Sequence, residues 1–277
     1  MPSEAEESAH KAELAVFARK SLTLLAAAGA GLSGRFESFA VDELRASMAT
    51  AGPYEFLNTI EGVNERSVEV LPDALRRFPD PYQVTIVATA PPQSLTERLL
   101  SEGYEQAPPR PIAYLSTLAP SSTETVGEWQ INEVPASGDP QQFLDLLTVG
   151  YAESSEVSAL IRAEHTLPAI RGFIASRGGQ PLAAAAMSIH PTGAVLGGAS
   201  TLHAARGTHA QSGLLIHRLH VAKALNISLT TATAAPGTPS IRNLARLGFT
   251  IVERTAWRHR SRSHKERQPS GAAGRHR

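Results

Sequence analysis

From residue 129 onward, short apolar runs are interleaved with segments whose apolar positions recur at helical spacing. Apolar residues at a period of two are typical of half-buried strands, and a period near 3.6 is typical of amphipathic helices. The pattern therefore predicts a mixed α/β fold with an antiparallel meander ahead of a central helix. The predicted strands span residues 129–134, 171–176, 182–190 and 194–202, and the predicted helices span 139–149, 157–162 and 212–224.

One unit of this pattern occurs twice along the chain. A β-rich run from Val84 and another from Ile227 are each followed by a proline break, a helical stretch and a glycine–aromatic step. A shift of 145 residues superimposes the two copies, and both separate the proline from the glycine by twelve residues. The repeat favours a duplicated α/β domain, and a chance similarity of two strand–helix–strand units is the alternative.

Proline and small polar residues between 119 and 126 are typical of a linker. They divide the chain into a first domain at residues 1–120 and a second at 121–258, each of ordinary domain size. Residues 258–277 contain seven basic residues and one acidic residue, with no apolar periodicity. We therefore expect residues 259–277 to form a disordered basic tail.

The overall composition excludes several classes of protein. Of 277 residues, 42% are hydrophobic and 19% are charged, which is enough to bury a core and excludes general disorder. Lysine plus arginine (26) equals aspartate plus glutamate (26), so the net charge gives no reason to expect a nucleic-acid or membrane partner. The absence of cysteine excludes disulfides, thiolate metal sites and a cysteine nucleophile.

An apolar run at residues 21–32 is the best candidate for a targeting or membrane-spanning segment. The run has about a dozen residues, whereas a spanning helix needs about 20. Acidic residues Glu4, Glu6 and Glu7 precede it, where a secretory signal would be basic. We therefore expect an amphipathic helix over residues 12–28 in a soluble, cytoplasmic protein.

The segment that carries chemistry follows the predicted strand that ends at Leu202. A polar, glycine-containing loop leads from there to a helix that opens near Ser212. Successive backbone N–H groups at such a junction form a concavity that binds anions, and the helix dipole adds partial positive charge. On these grounds alone, the segment is compatible with a phosphate site and with an ordinary strand-to-helix turn.

Two motifs in this region resemble those of the GNAT superfamily of N-acetyltransferases. The loop Arg206-Gly-Thr-His-Ala-Gln211 is similar to the family's Arg/Gln-x-x-Gly-x-Gly/Ala loop, followed by Ser212 at the helix start. The segment Ala235–Phe249 is similar to the family's Asn-bearing helix before a Leu-Gly-Phe step. The resemblance covers about residues 127–257, and the first half resembles the same fold only loosely, as in tandem members.

The resemblance implies a mixed, mostly antiparallel acetyltransferase sheet flanked by helices, duplicated in tandem, with a degenerate first copy. It implies that acetyl-CoA is the acyl donor and that the acceptor is the amine of a small molecule or peptide. The loop would hold the pyrophosphate, and the open strand edge would bind the pantetheine amides as an added strand does. The implied donor-binding residues are Thr201, Leu202, Arg206, Gly207, Thr208, His209, Ala210, Gln211, Ser212 and Asn243.

Two positions depart from the family's pattern. His209 stands where the loop's first glycine is expected, and it either hydrogen-bonds the pyrophosphate or is an idle loop residue. Leu244 stands where many members have a tyrosine acid. An inactive acyl-CoA-binding or interaction protein of the same fold therefore stays open as an alternative. An aminoacyl-transfer enzyme is another, because some duplicated members use aminoacyl-tRNA.

The sequence assigns no catalytic residue, no acceptor and no oligomeric state. No metal is expected, because the neighbouring histidines lack the acidic companion of a His-Glu-x-x-His zinc helix. Those histidines are His203, His209, His217 and His220. The candidates for a general base or polar group on the acceptor side are Glu133, Tyr151, Glu153, Glu156, Glu164, His165 and His190.

The repeat also predicts how many acetyl-CoA molecules bind. The 145-residue shift sets the segment Glu61–Ser67 opposite Arg206–Ser212. Glu61 and Glu65 would face the pyrophosphate in the first copy and repel it, and Pro72 would delay the start of the following helix. We therefore expect one donor site per chain, in the second half.

Overall fold

The computed structural model describes residues 3–80, 83–117, 128–135, 138–151 and 154–259. The linker predicted at 119–126 lies outside the described residues, as does the predicted basic tail apart from His259. His259 itself is the last residue of a strand, so the tail can begin only after it.

The described parts of the chain form helices and strands in a mixed order. The helices are α1 Glu4–Gly29, α2 Leu71–Leu75, α3 Gln93–Ser101, α4 Gln141–Tyr151, α5 Ser155–His165, α6 Ala210–Ala224 and α7 Pro239–Arg246. The strands are β1 Phe36–Val41, β2 Leu44–Ala49, β3 Thr59–Glu61, β4 Val84–Thr89, β5 Glu105–Ala107, β6 Ile112–Ser116, β7 Gln130–Glu133, β8 Ile170–Arg177, β9 Gln180–His190, β10 Gly193–Thr201, β11 Leu229–Thr233, β12 Thr250–Val252 and β13 Arg254–His259.

The helix expected over residues 12–28 begins earlier than predicted, at Glu4. Ser3 and Glu6 form a capping box in which each side chain accepts a hydrogen bond from the other's backbone N–H. Such a box satisfies N–H groups that would otherwise be unbonded at a helix start. The acidic residues Glu4, Glu6 and Glu7 lie in this first turn, where the helix dipole favours negative charge.

The chain divides into two compact units that are interleaved along the sequence. Unit 1 comprises Met1–Ser33 and Pro109–Glu253, and unit 2 comprises Gly34–Pro108 and Arg254–Arg277. A cut at residue 120 therefore does not separate the two units. Helix α1 and strand β6 precede that cut and lie in unit 1, whereas β13 follows it and lies in unit 2.

The sheet of unit 1 has the strand order β12-β6-β11-β10-β9-β8-β7. Its neighbouring strands are antiparallel except for β10 and β11, which are parallel. On one face, Leu214 and Leu219 of α6 pack against the small side chains of β9. On the other face, Phe143 and Leu147 of α4 pack with α5, and α1 packs against β11.

The sheet of unit 2 has the strand order β1-β2-β3-β4-β13-β5. It also contains one parallel pair, β3 with β4, among antiparallel neighbours. Its core contains Trp257 of β13, which is fully buried with Ile86 of β4 and with Leu95 and Leu99 of α3. The predicted fold class, mostly antiparallel sheets flanked by helices, is thus confirmed in both units.

The two sheets share one succession of strands and helices, and each sheet contains one strand from the other half of the sequence. Antiparallel pairings, three in unit 1 and two in unit 2, lead to the parallel pair, and a helix and a short outer strand then follow along the chain. The position between the parallel pair and that outer strand is filled from the other half of the sequence. Strand β6 lies between β11 and β12, and strand β13 lies between β4 and β5.

The described residues contain no helix that is both long and apolar enough to cross a membrane.

Truncation after Glu253 tests the assignment of β13 to unit 2. The truncated chain lacks the strand between β4 and β5 and the fully buried Trp257. Removing a buried tryptophan alone costs about 3–5 kcal/mol, a large part of a domain's stability of about 5–15 kcal/mol. We expect residues 36–107 to lose slow amide hydrogen exchange in this variant.

A chain truncated after His259 is the matched control for that experiment. It loses the basic segment but keeps β13, so we expect the melting temperature of the full chain. Equal hydrogen-exchange protection in the two truncated chains would contradict the placement of β13. A lowered melting temperature of the longer one would show that residues 260–277 contribute to the fold.

Candidate functional site

The loop between β10 and α6 contains two residues in the left-handed region of backbone space. Strand β10 ends at Thr201, a 3-10 turn spans His203–Ala205, and α6 begins at Ala210. Gly207 has φ of 77°, and His209, the N-cap of α6, has φ of 67°. The position predicted to need glycine thus does have a left-handed backbone, but histidine adopts it.

The backbone N–H groups of residues 207–212 make no well-formed hydrogen bond to any described residue. The first bond of α6 is donated by the Gly213 N–H to the His209 carbonyl, at 3.0 Å. Unbonded N–H groups at a helix start, together with the positive end of the helix dipole, favour an anion. We call residues 206–212 the cradle, and its exposed residues include Arg206, Gly207 and His209.

Three side-chain hydrogen bonds fix the shape of the cradle. The Trp129 indole N–H, just before β7, donates to the Thr208 carbonyl at 2.8 Å. Gln211 Nε2 donates to Thr201 Oγ1 at 2.6 Å, which joins the first turn of α6 to the end of β10. The Thr208 hydroxyl donates to the Ala205 carbonyl at 2.5 Å. These bonds hold the cradle open without using its N–H groups.

A gap opens between β10 and β11 beside the cradle. The parallel pairing joins Ala194 to Thr230, Val195 to Thr231 and Leu196 to Ala232, and then ends, although β10 continues to Thr201. The edge of β10 beyond Leu196 is therefore not covered by β11. An extended ligand with amide groups can add to such an edge as a further strand would.

A β-bulge in β10 coincides with the point where the strands separate. The pairing of β10 with β9 shifts register between Gly197 and Ala199, and Gly198 has φ of 65°. A Cβ atom at Gly198 would lie 2.5 Å from the Nε2 atom of His165, so only glycine fits there. The bulge thus redirects β10 and brings α5 close to it.

A buried polar cluster lies on the α1 and α5 face of this bulge. Arg19 of α1 donates from Nε to Glu164 Oε1 at 2.6 Å, and its Nη2 lies 3.2 Å from His165 Nε2. The Thr23 hydroxyl also donates to Glu164 Oε1, at 2.8 Å. His165 Nδ1 lies 2.8 Å from the Ile161 carbonyl. His165 therefore donates from Nδ1 and accepts the Arg19 bond at Nε2 when it is neutral.

The charges of this cluster are balanced. Burial lowers the pKa of His165, and the neighbouring Arg19 lowers it further, so the ring is neutral near pH 7. Burial alone would raise the pKa of Glu164, but attraction to Arg19, together with His165 and the hydrogen bonds from Thr23 and Arg19, outweighs it and keeps that pKa below its usual value. A carboxylate and a guanidinium thus face each other away from water, with a neutral imidazole beside them.

The structure brings together nine of the ten residues predicted to bind the donor. They lie at the end of β10, in the cradle and in the first turn of α6. The backbone N–H of Leu202 is bonded to the Leu182 carbonyl, and its side chain packs with α4 and α5. Asn243 lies on α7, and its Oδ1 accepts a hydrogen bond from Arg246 at 2.5 Å. Leu244 is buried in the core, beneath the exposed side of α7.

The candidates for a general base are separated by the structure. Glu164 and His165 are in the buried cluster, whereas Glu133 is paired with Arg171 at the sheet surface. The Ser188 hydroxyl lies 2.8 Å from His190 Nε2, and burial, aided by Arg19, lowers the pKa of His190 to about 4. Glu156 is exposed at the start of α5. Glu153 and the side chain of Tyr151 lie outside the described residues.

Solved structures match this arrangement of elements. A GCN5-related N-acetyltransferase from Kribbella flavida is 16% identical, with a TM-score of 0.54 over 83% of this chain and 92% of its own. One from Sphaerobacter thermophilus is 15% identical, with a TM-score of 0.56 over 79% and 76%. A tandem GNAT protein from the clavulanic acid biosynthesis pathway is 15% identical, with a TM-score of 0.53 over 78% of each chain.

The chain has the GNAT acetyltransferase fold. No protein-family model matches the sequence, and no curated protein matches it. In the described residues, no group of three or more histidine, aspartate or glutamate side chains could hold a metal ion.

The equivalent loop in unit 2 of this GNAT-fold chain is closed by its own side chains. The Asn64 amide oxygen accepts bonds from the N–H groups of Arg66 and Ser67, at 2.8 and 3.0 Å. The Ser67 hydroxyl accepts from the Asn64 N–H at 2.9 Å and donates to the Gly62 carbonyl at 3.0 Å. In unit 2, the N–H groups of Arg66 and Ser67 are therefore already hydrogen-bonded, whereas the corresponding N–H groups of the cradle are not.

Glu61 was predicted to face a pyrophosphate in the first copy of the loop and to repel it, and that prediction is wrong. Glu61 is 2% exposed, and its Oε2 accepts a hydrogen bond from Arg254 Nη1 at 3.0 Å, so its charge is compensated. The parallel strands β3 and β4 also stay paired to Glu61, and the Val63 N–H continues to the Val87 carbonyl at 3.4 Å. The helix α2 that follows has only five residues and begins next to Pro72, as the proline predicts.

Three parts of the site were not predicted from the sequence. The glycine pair 197–198 inside a predicted strand is a recognisable signal of a bulge. The role of Arg19 had no such signal, because an arginine on an amphipathic helix usually faces solvent, whereas this one is 7% exposed. Trp129 was predicted only as a strand residue, and its bond to Thr208 depends on tertiary structure.

Substitution of His209 tests the left-handed geometry of the cradle. A side chain in this region costs about 1–2 kcal/mol, least for residues such as histidine and most for β-branched ones. We expect His209→Gly to change the free energy of unfolding by less than about 1 kcal/mol, since relieved strain offsets the added chain entropy. We expect His209→Val to lower it by about 1–2 kcal/mol in urea unfolding.

His203→Val is the control for that pair. His203 is also exposed but lies in the 3-10 turn and not in the left-handed region. Its valine variant should be within about 0.5 kcal/mol of the wild type. If glycine and valine at position 209 destabilise the protein equally, the left-handed assignment is wrong.

Proposed function

We propose that this protein transfers an acetyl group from acetyl-CoA to the amine of a small molecule or peptide. The observation that carries the proposal is the set of unbonded N–H groups in residues 207–212 beside the uncovered edge of β10. The N–H groups suit a pyrophosphate, and the strand edge suits a chain of amide groups. CoA contains both in this order, with the reacting thioester at the end of the amide chain.

Each part of the donor would have its own contacts. The cradle N–H groups would bind the pyrophosphate oxygens, and Arg206 is exposed beside them to add positive charge. Backbone groups of β10 beyond Leu196, other than those of Ala199, would bind the pantetheine amides, which would bring the thioester near the bulge. Asn243 would contact the pantetheine arm through its Nδ2 group, because its Oδ1 accepts the bond from Arg246.

The donor supplies an activated acyl group: the acceptor nitrogen bonds to the acetyl carbon, the C–S bond breaks, and the proton lost by the nitrogen ends on the sulfur. The protein's own contribution is to align the two reactants, which can supply much of the rate. Leu244 is 3% exposed in the core and offers no proton. Water would then carry the proton from the nitrogen to the sulfur, and a neutral amine needs no dedicated base.

An acyl-CoA-binding protein without transferase activity is the second candidate. The burial of Leu244 at the position of the usual acid favours it. Release of CoA thiol with a broad panel of amines separates the two candidates. Tight binding of acetyl-CoA with no thiol release above the amine-free rate would favour the binding protein.

Gly207→Glu tests whether the cradle binds the donor. A carboxylate about 4 Å from a phosphate costs about 4 kcal/mol at an effective dielectric constant near 20. We expect the Kd for acetyl-CoA, measured by calorimetry, to rise at least about 30-fold. Ser212→Pro, which removes one N–H from the first turn, should weaken binding without unfolding the protein.

Gly178→Glu is the matched control for Gly207→Glu. Both glycines have positive φ, 58° and 77°, and neither has an atom within 4 Å of an added Cβ. Gly178 lies in the turn between β8 and β9, outside residues 206–212. The control carries the same charge and similar strain, so it should bind acetyl-CoA like the wild type. Unchanged affinity in folded Gly207→Glu would refute the site.

We expect one CoA molecule to bind per chain. The corresponding loop of unit 2 uses its N–H groups for Asn64 and Ser67, and its parallel strands do not separate. Titration calorimetry of the intact chain with CoA measures the stoichiometry. A value near two, or binding that survives Gly207→Glu at full affinity, would show that unit 2 also holds the donor.

A further inference from the structure

The indole ring of Trp129 contacts the cradle from a distant part of the chain. Its N–H group donates to the Thr208 carbonyl at 2.8 Å, and the two residues are 79 positions apart. Trp129 directly precedes β7 and packs against the core between α6 and the sheet of unit 1. One side chain from outside the loop thus holds one peptide group of the cradle.

This bond fixes the direction of the peptide group between Thr208 and His209. A trans peptide is planar, and its C=O and N–H groups point in opposite directions. Because the Thr208 carbonyl points to the indole, the His209 N–H points away from Trp129. That N–H has no acceptor among the described residues. The bond therefore leaves one N–H of the cradle available to an anion and keeps the carbonyl of the same peptide away from it.

The same peptide group adjoins a strained residue. His209 has φ of 67°, in the left-handed region that costs energy for a residue with a side chain. Rotation of the Thr208–His209 peptide by about half a turn makes this φ negative, and L-residues adopt negative φ without that cost. The rotation keeps the first hydrogen bond of α6, because that bond uses the His209 carbonyl, which belongs to the next peptide group. Relief of strain thus favours a local flip of this one peptide.

The flipped peptide would make the cradle unsuitable for an anion. The His209 N–H would point toward Trp129, and the Thr208 carbonyl would point to the side where the N–H had been. A peptide group is a strong dipole with its negative end at the carbonyl oxygen. The flip therefore replaces an attraction for a phosphate oxygen by a repulsion.

The hydrogen bond from Trp129 and the strain at His209 oppose each other and are similar in size. A left-handed side chain changes an equilibrium constant by about 5- to 30-fold, and a neutral hydrogen bond changes it by about 2- to 12-fold. The bond therefore controls the fraction of chains in the binding orientation. The apparent affinity for a ligand falls in proportion to that fraction.

We propose that Trp129 is a positioning residue for the donor: it holds the Thr208–His209 peptide with its N–H toward the pyrophosphate and prevents the flip that strain favours. This inference rests on the proposed function, because the donor is the ligand of the same cradle. It also explains how the cradle keeps a left-handed residue that is not glycine. The bond from Trp129 stabilises a backbone conformation that glycine would adopt without help.

Trp129→Phe is the first test, because it removes the indole N–H and keeps an aromatic ring at the edge of the core. Calorimetry with CoA measures the Kd of the variant and of the wild type. We expect the Kd to rise about 3- to 10-fold, which corresponds to the loss of one neutral hydrogen bond. An unchanged Kd in folded Trp129→Phe would overturn the proposal.

The His209→Gly background tests the mechanism of that effect. Glycine adopts positive and negative φ about equally readily, so no strain drives the flip in this background. Trp129→Phe should then raise the Kd for CoA by less than about twofold. A purely structural effect of losing the indole would be the same in both backgrounds. Equal rises of the Kd with histidine and with glycine at position 209 would therefore overturn the proposal.

Trp257→Phe is the matched control, because it makes the same substitution at the other of the two tryptophans. Trp257 is fully buried in the core of unit 2, and its Nε1 atom has no hydrogen-bond partner among the described residues. The variant loses packing and no hydrogen bond, so it should lower the melting temperature and keep the Kd for CoA. A rise of the Kd as large as that in Trp129→Phe would overturn the assignment to the cradle.

A crystal structure of Trp129→Phe shows the orientation of the peptide without a ligand. We expect the Thr208 carbonyl to have turned away from position 129 and His209 to have negative φ. The wild-type orientation in this variant would overturn the proposal. Failure of the proposed function gives a different result, because the wild-type chain itself would then bind no CoA. Equal binding of CoA by the wild type and Trp129→Phe refutes this inference alone.

Discussion

The early end of pairing between β10 and β11 is the constraint on which the candidate site depends. Three residues of each strand pair, and β10 then continues alone past the bulge at Gly198. The uncovered edge follows from that separation, and the glycine at the bulge allows His165 to approach β10. In unit 2 the parallel pairing also spans three residues, but it reaches the last residue of β3, and the loop beyond satisfies its own N–H groups. One local difference in pairing thus distinguishes two otherwise similar sheets.

The elements of the second half could be predicted from the sequence, because their hydrophobic periodicity is regular. Observed bounds lie within three residues of the predicted ones, as for β9 and α6. The cradle was also predictable, since its anion affinity comes from backbone and needs only a strand, a polar loop and a helix start. The buried cluster was not, because Arg19 and Glu164 are 145 residues apart and nothing local marks their pairing.

The same limit explains the incorrect role given to Glu61. Its sequence position beside a loop indicated an exposed repulsive charge, and its partner Arg254 lies 193 residues further along the chain. Strand β13 brings that partner into unit 2. A single division at residue 120 also could not predict that the units are interleaved. A strand's propensity does not specify which sheet the strand joins. Local patterns therefore specified the elements, and distant pairings specified their places.

The exchange of β6 and β13 has a consequence for synthesis on the ribosome. The chain emerges from its first residue, yet the sheet of unit 2 needs β13, which ends at His259. Residues 34–108 are therefore complete long before the strand between β4 and β5 exists. A domain usually folds as a unit once it has emerged, but here neither sheet can close while the ribosome still holds the last strands. Folding of unit 2 is thus deferred until β13 has emerged, and exposed strand edges in the interval are places where chaperones would bind.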